Sequence, residues 1–415
     1  MVTLTLAPPQ AHSGRVYPAD TTRDEQVPAL VEIDTADKAR VWVDRVLAPL
    51  LGPLRDTAPS RDHAGAAFPR ALHVALADTG LYRLLVPERH GGLGGSRRAL
   101  GLVLEQIGRV TPEVELASLI SLFADLPCAV ADSASPEAAA ELLPDMLAGR
   151  CLSAFAYTEE DDVAAFRTTL VETDDGLVLN GAKALVTGAT AADVFLVYVR
   201  GDDGLEVVLV KRTDPGVAIE PVPTLGFRGA GLGRLTFDRV RLGPGRRLYR
   251  SDGLGQVQRF LSNRRLFVVC AYPGRMAAML AECSAHLATV IREGVPVTAF
   301  QNVQARLGRM FAQTKAAQVL LRAALDHWVS PACNEVFDAH TVAAKYSIAE
   351  LAIQTARDAV YVTGWQGYSD RLHFERDLRS FMGAVAGQTT QDKLELLLGT
   401  NLVAYQGLNS LHEVL

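Results

Sequence analysis

Between Cys151 and Pro244 the sequence changes its period, and that change restricts the chain to few architectures. Val194 to Val199, Glu206 to Val210, Val217 to Val222 and Leu235 to Val240 are short β-rich runs separated by Asp-Gly and Pro-Gly turns. Asp174-Asp175-Gly176 is a hairpin signal between Arg167–Glu172 and the strand that resumes at Leu177. Too few helical patterns interrupt these runs for βαβ units, so the spacing predicts a mostly antiparallel β unit. Helical periodicity returns on both sides. Before the β unit it runs through Ala39 to Leu50, Phe68 to Leu84, Leu100 to Val110, Ala117 to Val130 and Pro136 to Leu147. After it come Val257 to Glu293, Ala299 to Trp328, Asp338 to Thr363 and Gln388 to Val403, long enough for an antiparallel four-helix bundle. The expected class is α+β. An extended arm over 1–34 leads into a helical domain over 35–149, an antiparallel β-barrel or sandwich over 150–245 and a helical bundle over 246–415.

Charge and cysteine usage exclude several roles. The net charge is −6, so nothing global favours nucleic acid. Five scattered cysteines without a Cys-x-x-Cys pair or a histidine at metal spacing predict free thiols in a reducing compartment and no metal site. No apolar run approaches the ~20 residues of a membrane span, and no leader pattern opens the chain. The expectation is a cytoplasmic protein with no membrane partner. The Gly-rich stretch Leu84 to Ser96 has Gly91-Gly92 and Gly94-Gly95 but neither a Gly-Lys-Ser/Thr ending nor a preceding strand. It reads as a tight helix-to-helix turn before a phosphate loop.

Several motifs are shared with a known family. LLVPERHGGLGG, FAYTE ending at Glu159, RTTLVETDDGLVLNGAKALVTG from Arg167, LGFRGAGLGRLTFDRVRL from Leu225, AFQNVQARLGRM from Ala299 and GYSDRLHFERDLRS from Gly367 follow one another in order. Over about Ala39 to Val403 the chain thereby resembles the acyl-CoA dehydrogenase superfamily. The resemblance implies a cofactor, FAD, and an acyl thioester enclosed between β unit and bundle, with a glutamate taking the α-proton. It also implies a homodimer or homotetramer, because bundle residues contact the flavin across a subunit boundary. Carried over residue by residue, the implied cofactor contacts are Tyr157, Thr158, Thr187, Arg292, Gly364 and Trp365.

The departures fall where the chemistry should be. The family's Gly/Ser loop after Thr-Glu is replaced by Glu159, Glu160, Asp161 and Asp162, a poor cradle for a diphosphate and readable as solvated surface. Arg292 keeps its charge but loses its Phe-Gly companions, which also fits a helix C-cap. Trp365 stands where a glycine should lie against the dinucleotide; it reads as a core filler before an adenine-stacking ring. The usual glutamate position before the last helix falls on Gly387 or Gln388, and the alternative one on the first bundle helix is Arg264. Neither Gln nor Arg accepts a proton at neutral pH. The candidate catalytic residues are therefore Asp161 and Asp162 first, then Glu160, with Arg264 and Gln388 as electrostatic and positioning groups. The expected function is a flavin-dependent oxidoreductase of specialised metabolism acting on a CoA- or acyl carrier protein-bound thioester, with weakened FAD binding. The alternatives are a flavin-free member doing non-redox chemistry such as cyclisation, elimination or isomerisation, and a non-catalytic partner subunit.

Overall fold

The computed structural model describes residues 26–133, 135–160, 166–174, 176–201, 204–250, 253–329 and 338–404. Its first part is helical: α1 (Ala36–Trp42) runs through a π turn (Val43–Leu47) into α2 (Ala48–Leu51), followed by α3 (Leu54–Ala64), α4 (Arg70–Asp78), α5 (Arg97–Val110), α6 (Val114–Ala131) and α7 (Pro136–Leu147). Polar caps mark several starts. Ser96 accepts from the Ala99 amide, and Ser135 from the Ala138 amide. Of the arm read from sequence, residues 26–34 include a 3-10 turn at Leu30–Glu32, with Leu30 and Ile33 buried. The Gly-rich stretch is a tight turn: a Cβ on Gly92 would lie 1.8 Å from the Val86 carbonyl oxygen, so only glycine permits the backbone to double back.

The middle part holds β1 (Ser153–Ala156), β2 (Thr169–Thr173), β3 (Gly176–Val186), β4 (Val194–Gly201), β5 (Gly204–Lys211), β6 (Val217–Pro221), β7 (Gly233–Leu242) and β8 (Arg247–Tyr249). The strand order is β6-β7-β3-β2-β4-β5-β8, with β1 beside β4. Most pairings are antiparallel, but β1 runs parallel to β4, and β2 touches β4 in parallel at Thr169 and Arg200. The sheet is therefore mixed, and among the described residues its path does not close, which corrects the barrel reading. Strand β4 is buried on both faces. Val194, Leu196 and Tyr198 join the helical core, while Phe195, Val197 and Val199 join a separate core inside the β unit.

The last part is the bundle: α8 (Gly253–Thr289), a small hairpin of β9 (Ile291–Arg292) and β10 (Val295–Pro296), α9 (Gln301–His327), α10 (Ala339–Thr363), the single turn α11 (Trp365–Tyr368), α12 (Phe374–Ala386) and α13 (Gln391–Ala404). Helices α6 and α8 are apolar and long enough to cross a bilayer, but 89% and 72% of their apolar windows are buried inside the fold. Helix α8 crosses α5 at backbone contact: a Cβ on Gly274 would lie 1.8 Å from the Glu105 carbonyl oxygen, and one on Gly108 2.0 Å from that of Ala271. One buried ion cluster ties the bundle to the first helices. Arg275 of α8, 1% exposed, donates to Asp377 of α12 at 2.8–3.0 Å and to Glu282 at 2.8 Å, and Arg55 of α3 also reaches Glu282.

Candidate functional site

The face of the sheet that meets the helices carries an aromatic wall. Alternation along β1 points Phe155 to the helical side, and Tyr157 continues that parity. Phe155 stacks on Phe260 of α8 with ring centroids 3.9 Å apart, and Tyr157 lies 5.2 Å from Phe166 and 5.6 Å from Tyr198. Beyond the wall, the Thr158 carbonyl accepts the Ala184 amide at 2.8 Å, which sets Thr158 beside the end of β3. Thr187 follows that strand, and Leu185, two residues earlier, is 41% exposed. The hydroxyls of Thr158 and Thr187 make no hydrogen bond among the described residues. An uncovered apolar side chain flanked by two free hydroxyls suits one face and the polar edge of a flat heteroaromatic ring.

The loop after Thr158 differs from its reading as one run of charge. Asp161 and Asp162 lie outside the described residues. Glu159 accepts from Lys183 Nζ at 2.6 Å and from the Arg167 and Thr168 amides at 2.7 and 3.2 Å. Burial pushes the Glu159 carboxyl up, but these bonds outweigh it and hold it below its usual range. Burial pushes Lys183 down to about 8, against the opposing pull of Glu159. Glu160, exposed, pairs with Arg234 of β7. Both described carboxylates are thus matched by cations, so the argument from repulsion of a diphosphate loses half its charges, and Glu160 stands as a surface ion pair.

One turn beyond Phe260, Arg264 is fully buried on α8. Its Nη2 donates to Ser118 Oγ at 2.9 Å and to the Ser118 carbonyl at 3.2 Å, Nη1 donates to Ser121 Oγ, and Nε has no hydrogen-bond partner among the described residues. Burial lowers it to about 10. Gln388 sits in the turn after α12 with φ 55°, followed by Thr389 at 84°. That turn is held from two sides: Lys345 Nζ donates to the carbonyls of Gly387, at 2.8 Å, and Thr389, and Arg265 Nε donates to Thr389 Oγ1 at 3.2 Å. Burial, and then Arg265, push Lys345 down to about 7.

The remaining predicted contacts lie elsewhere. Arg292 is in the β9–β10 hairpin, exposed, donating to the Ile291 carbonyl; α8 has already ended at Thr289, so it caps no helix. Gly364 ends α10 with φ 62°. Trp365 is 63% exposed under the Arg371 guanidinium, 5.0 Å from its centroid, and is no core filler. Along α8 from Phe260 to Thr289 the helix rises roughly 40 Å. One chain therefore brings together Tyr157, Thr158 and Thr187 on one side and Arg264 and Gln388 on the other, but not Arg292, Gly364 or Trp365. A groove of about 800 Å³ lined by Arg83, His90, Gly91 and α7 takes no residue from β1, β3, α8 or α12.

Sequence reasoning passed over four buried groups: Lys183, Lys345, Glu115 and Asp125. The two acids had a visible signal, since Glu115, Ser118, Leu122 and Asp125 recur at helical spacing on α6, an otherwise apolar helix.

Models of the acyl-CoA dehydrogenase N-terminal, middle and C-terminal domains match residues 33–150, 154–240 and 251–388. The 3-(aryl)acrylate reductase of Clostridium sporogenes is 27% identical over 356 residues, 81% of this chain and 91% of that one. The cyclohex-1-ene-1-carbonyl-CoA dehydrogenase of Syntrophus aciditrophicus is 27% identical over 377 residues, 87% of this chain and 88% of that one. Among solved structures, PigA with FAD and proline superposes with TM-score 0.81 at 19% identity, covering 89% of this chain and 98% of PigA. The prolyl acyl carrier protein oxidase AnaB gives 0.79 at 21% identity, covering 88% and 98%. At these identities the two structures establish the fold.

Proposed function

The chain belongs to the acyl-CoA dehydrogenase family, and from that premise we propose that it is an FAD-dependent oxidoreductase acting on an acyl thioester, presented on CoA or on a carrier protein. The observation that carries this reading is the Thr158–Thr187 edge with uncovered Leu185 at the end of β3. FAD, when bound, supplies the hydride acceptor for the carbon β to the thioester. In the chain itself, Thr158 and Thr187 offer hydroxyls to the ring edge, Leu185 offers an apolar platform, and Tyr157 with Phe155 excludes water. Relatives named as dehydrogenases of cyclohex-1-ene-1-carbonyl-CoA and benzylmalonyl-CoA support the thioester class. A cytoplasmic setting fits the same relatives. The test is direct. Purified protein is expected to show a flavin spectrum that bleaches anaerobically with members of a panel of straight-chain, branched and arylpropanoyl-CoA thioesters. A colourless protein that cannot be reconstituted with FAD would overturn the proposal.

One observation favours a second reading. By the sequence resemblance, the two family base positions fall on Gly387 or Gln388 and on Arg264, none of them a carboxylate, which suits a flavin-free, non-redox enzyme or a partner subunit. Colourless protein that still consumes a thioester would select the flavin-free enzyme, and colourless, inactive protein that co-purifies with a homologue would select the partner subunit.

The site is completed by a second copy. Arg292, Gly364 and Trp365 sit roughly a helix length from Thr158 and Thr187, too far for one chain to close both ends of a single cofactor. Light scattering is expected to give a dimer or tetramer at micromolar concentration; a monomer with full FAD occupancy would refute the shared site.

A further inference from the structure

Nine carboxylates are buried among the described residues: Asp62, Glu105, Glu113, Glu115, Asp125, Glu206, Asp338, Asp358 and Asp377. Seven have an arginine or histidine within 4 Å. Glu115 and Asp125 do not, and both lie on α6, ten residues apart on one face. Without a direct ion pair a carboxylate gains and loses a proton more readily than a paired one, although burial pushes the Asp125 carboxyl up while Arg97 and Arg264 pull it down from farther away. The two differ in what they face. Glu115 is in an acidic corner with Glu113 and Asp62, roofed by Gly229, where a Cβ would come 3.4 Å from Glu115 Oε1. Asp125, 8% exposed, packs against α8. It accepts from Asn263 Nδ2 at 3.3 and 3.5 Å, immediately before Arg264 on α8, and together with burial and Tyr249 it pushes the Tyr198 hydroxyl up from the other side. Leu122, one turn away on the same face, approaches Gly188 beside Thr187: a Cβ there would lie 3.9 Å from Leu122 Cδ2.

We propose that Asp125 is the proton acceptor that replaces the missing glutamate, and that the unpartnered Nε–H of Arg264 faces the substrate carbonyl oxygen. This rests on the thioester reading above. The α C–H bond breaks, its proton passes to an Asp125 carboxylate oxygen, and its electron pair moves into the C–C–O system as an enolate whose oxygen accepts from Arg264. Ser118 and Ser121 pin the guanidinium, so the donor is in place before charge develops. Arginine at the alternative base position is then the partner of a base supplied by the facing helix.

The step can be read without oxidation. 3-Thiaoctanoyl-CoA and (phenylthio)acetyl-CoA, with the same acyl groups on pantetheine, carry exchangeable α-protons but no β-hydrogen, and exchange in D2O is followed by proton NMR. Wild-type protein is expected to exchange them. Asp125→Asn is expected to slow exchange by ~10³-fold, within the range of general-base catalysis, with melting temperature and flavin absorbance unchanged. Asp125→Glu keeps part of the rate. Arg264→Gln lowers it by ~10²-fold, as for loss of one oxyanion donor. Asp125→Asn within threefold of wild type, or no exchange of any probe by wild type, overturns the proposal. If Asp125→Asn also bleaches with acyl-CoA at the wild-type rate, the base assignment fails and the oxidoreductase reading stands. A flavin-free wild type that exchanges α-protons through Asp125 reverses that outcome.

Discussion

Asp377→Ala is expected to lower the unfolding free energy by about 4 kcal/mol, the largest single-residue loss in stability anticipated for this chain. Arg275 is 1% exposed and spends its Nε and Nη2 on Asp377, with Glu282 as the remaining counter-ion. Removing the better-placed carboxylate leaves a guanidinium short of charge in a site water cannot reach. That cost exceeds the modest worth of making the pair, because desolvation has already been spent on both partners. The cluster also joins α3, α8 and α12, so the loss is expected in the main unfolding transition. Chemical denaturation with tryptophan fluorescence measures it, and a change below about 1 kcal/mol would contradict the buried-pair argument.

Glu115→Gln is expected to act in the opposite direction, and only at neutral and alkaline pH. Burial, reinforced by Glu113, holds the Glu115 carboxyl at about 8, against an ordinary value of 4.5. Below pH 4.5 the group is protonated in both states and contributes nothing to the difference. Between 4.5 and 8 the unfolded chain releases a proton that the folded chain retains, so native stability falls as pH rises. Above 8 the loss is complete. Glutamine keeps the shape and removes the titration. Its gain should be absent near pH 4.5 and reach on the order of 3 kcal/mol at pH 8, after its own unpaired amide is allowed for. Melting temperatures of both proteins across pH 4.5 to 8.5 test this; parallel curves would mean that Glu115 is solvated.

The architecture was legible because it rests on period. Alternation in β4 and the long helical repeats of α8, α9 and α10 are local properties, and the Gly91 to Gly95 turn announced itself by composition. The site was harder to read, for reasons specific to each residue. Glu160 looked like one member of an acidic run, but Arg234, its partner, is 74 residues away on β7. Lys183 sits in β3 at an inward position, where alternation predicts an apolar residue; Glu159 in the loop after β1 and the Phe166 ring, 4.2 Å from Nζ, explain it. Trp365 was judged by residue type, whereas its exposure depends on α10 ending at Gly364 and turning the chain outward. Asp125 and Glu115 were missed because α6 is so apolar that its two acids pass for helix-end charges until α8 is placed against them.

Strand β4 bears on how such chains diverge. The three family segments invite the picture of exchangeable modules, but β4 divides its side chains between two interiors: Val194, Leu196 and Tyr198 belong to the helices, and Phe195, Val197 and Val199 to the sheet. A middle segment transplanted from a relative would have to match its new host along that whole seam, with Phe155 and Phe260 stacked across it. Drift on one side of the seam obliges a reply from the other. Recombination at the segment boundaries is thereby disfavoured.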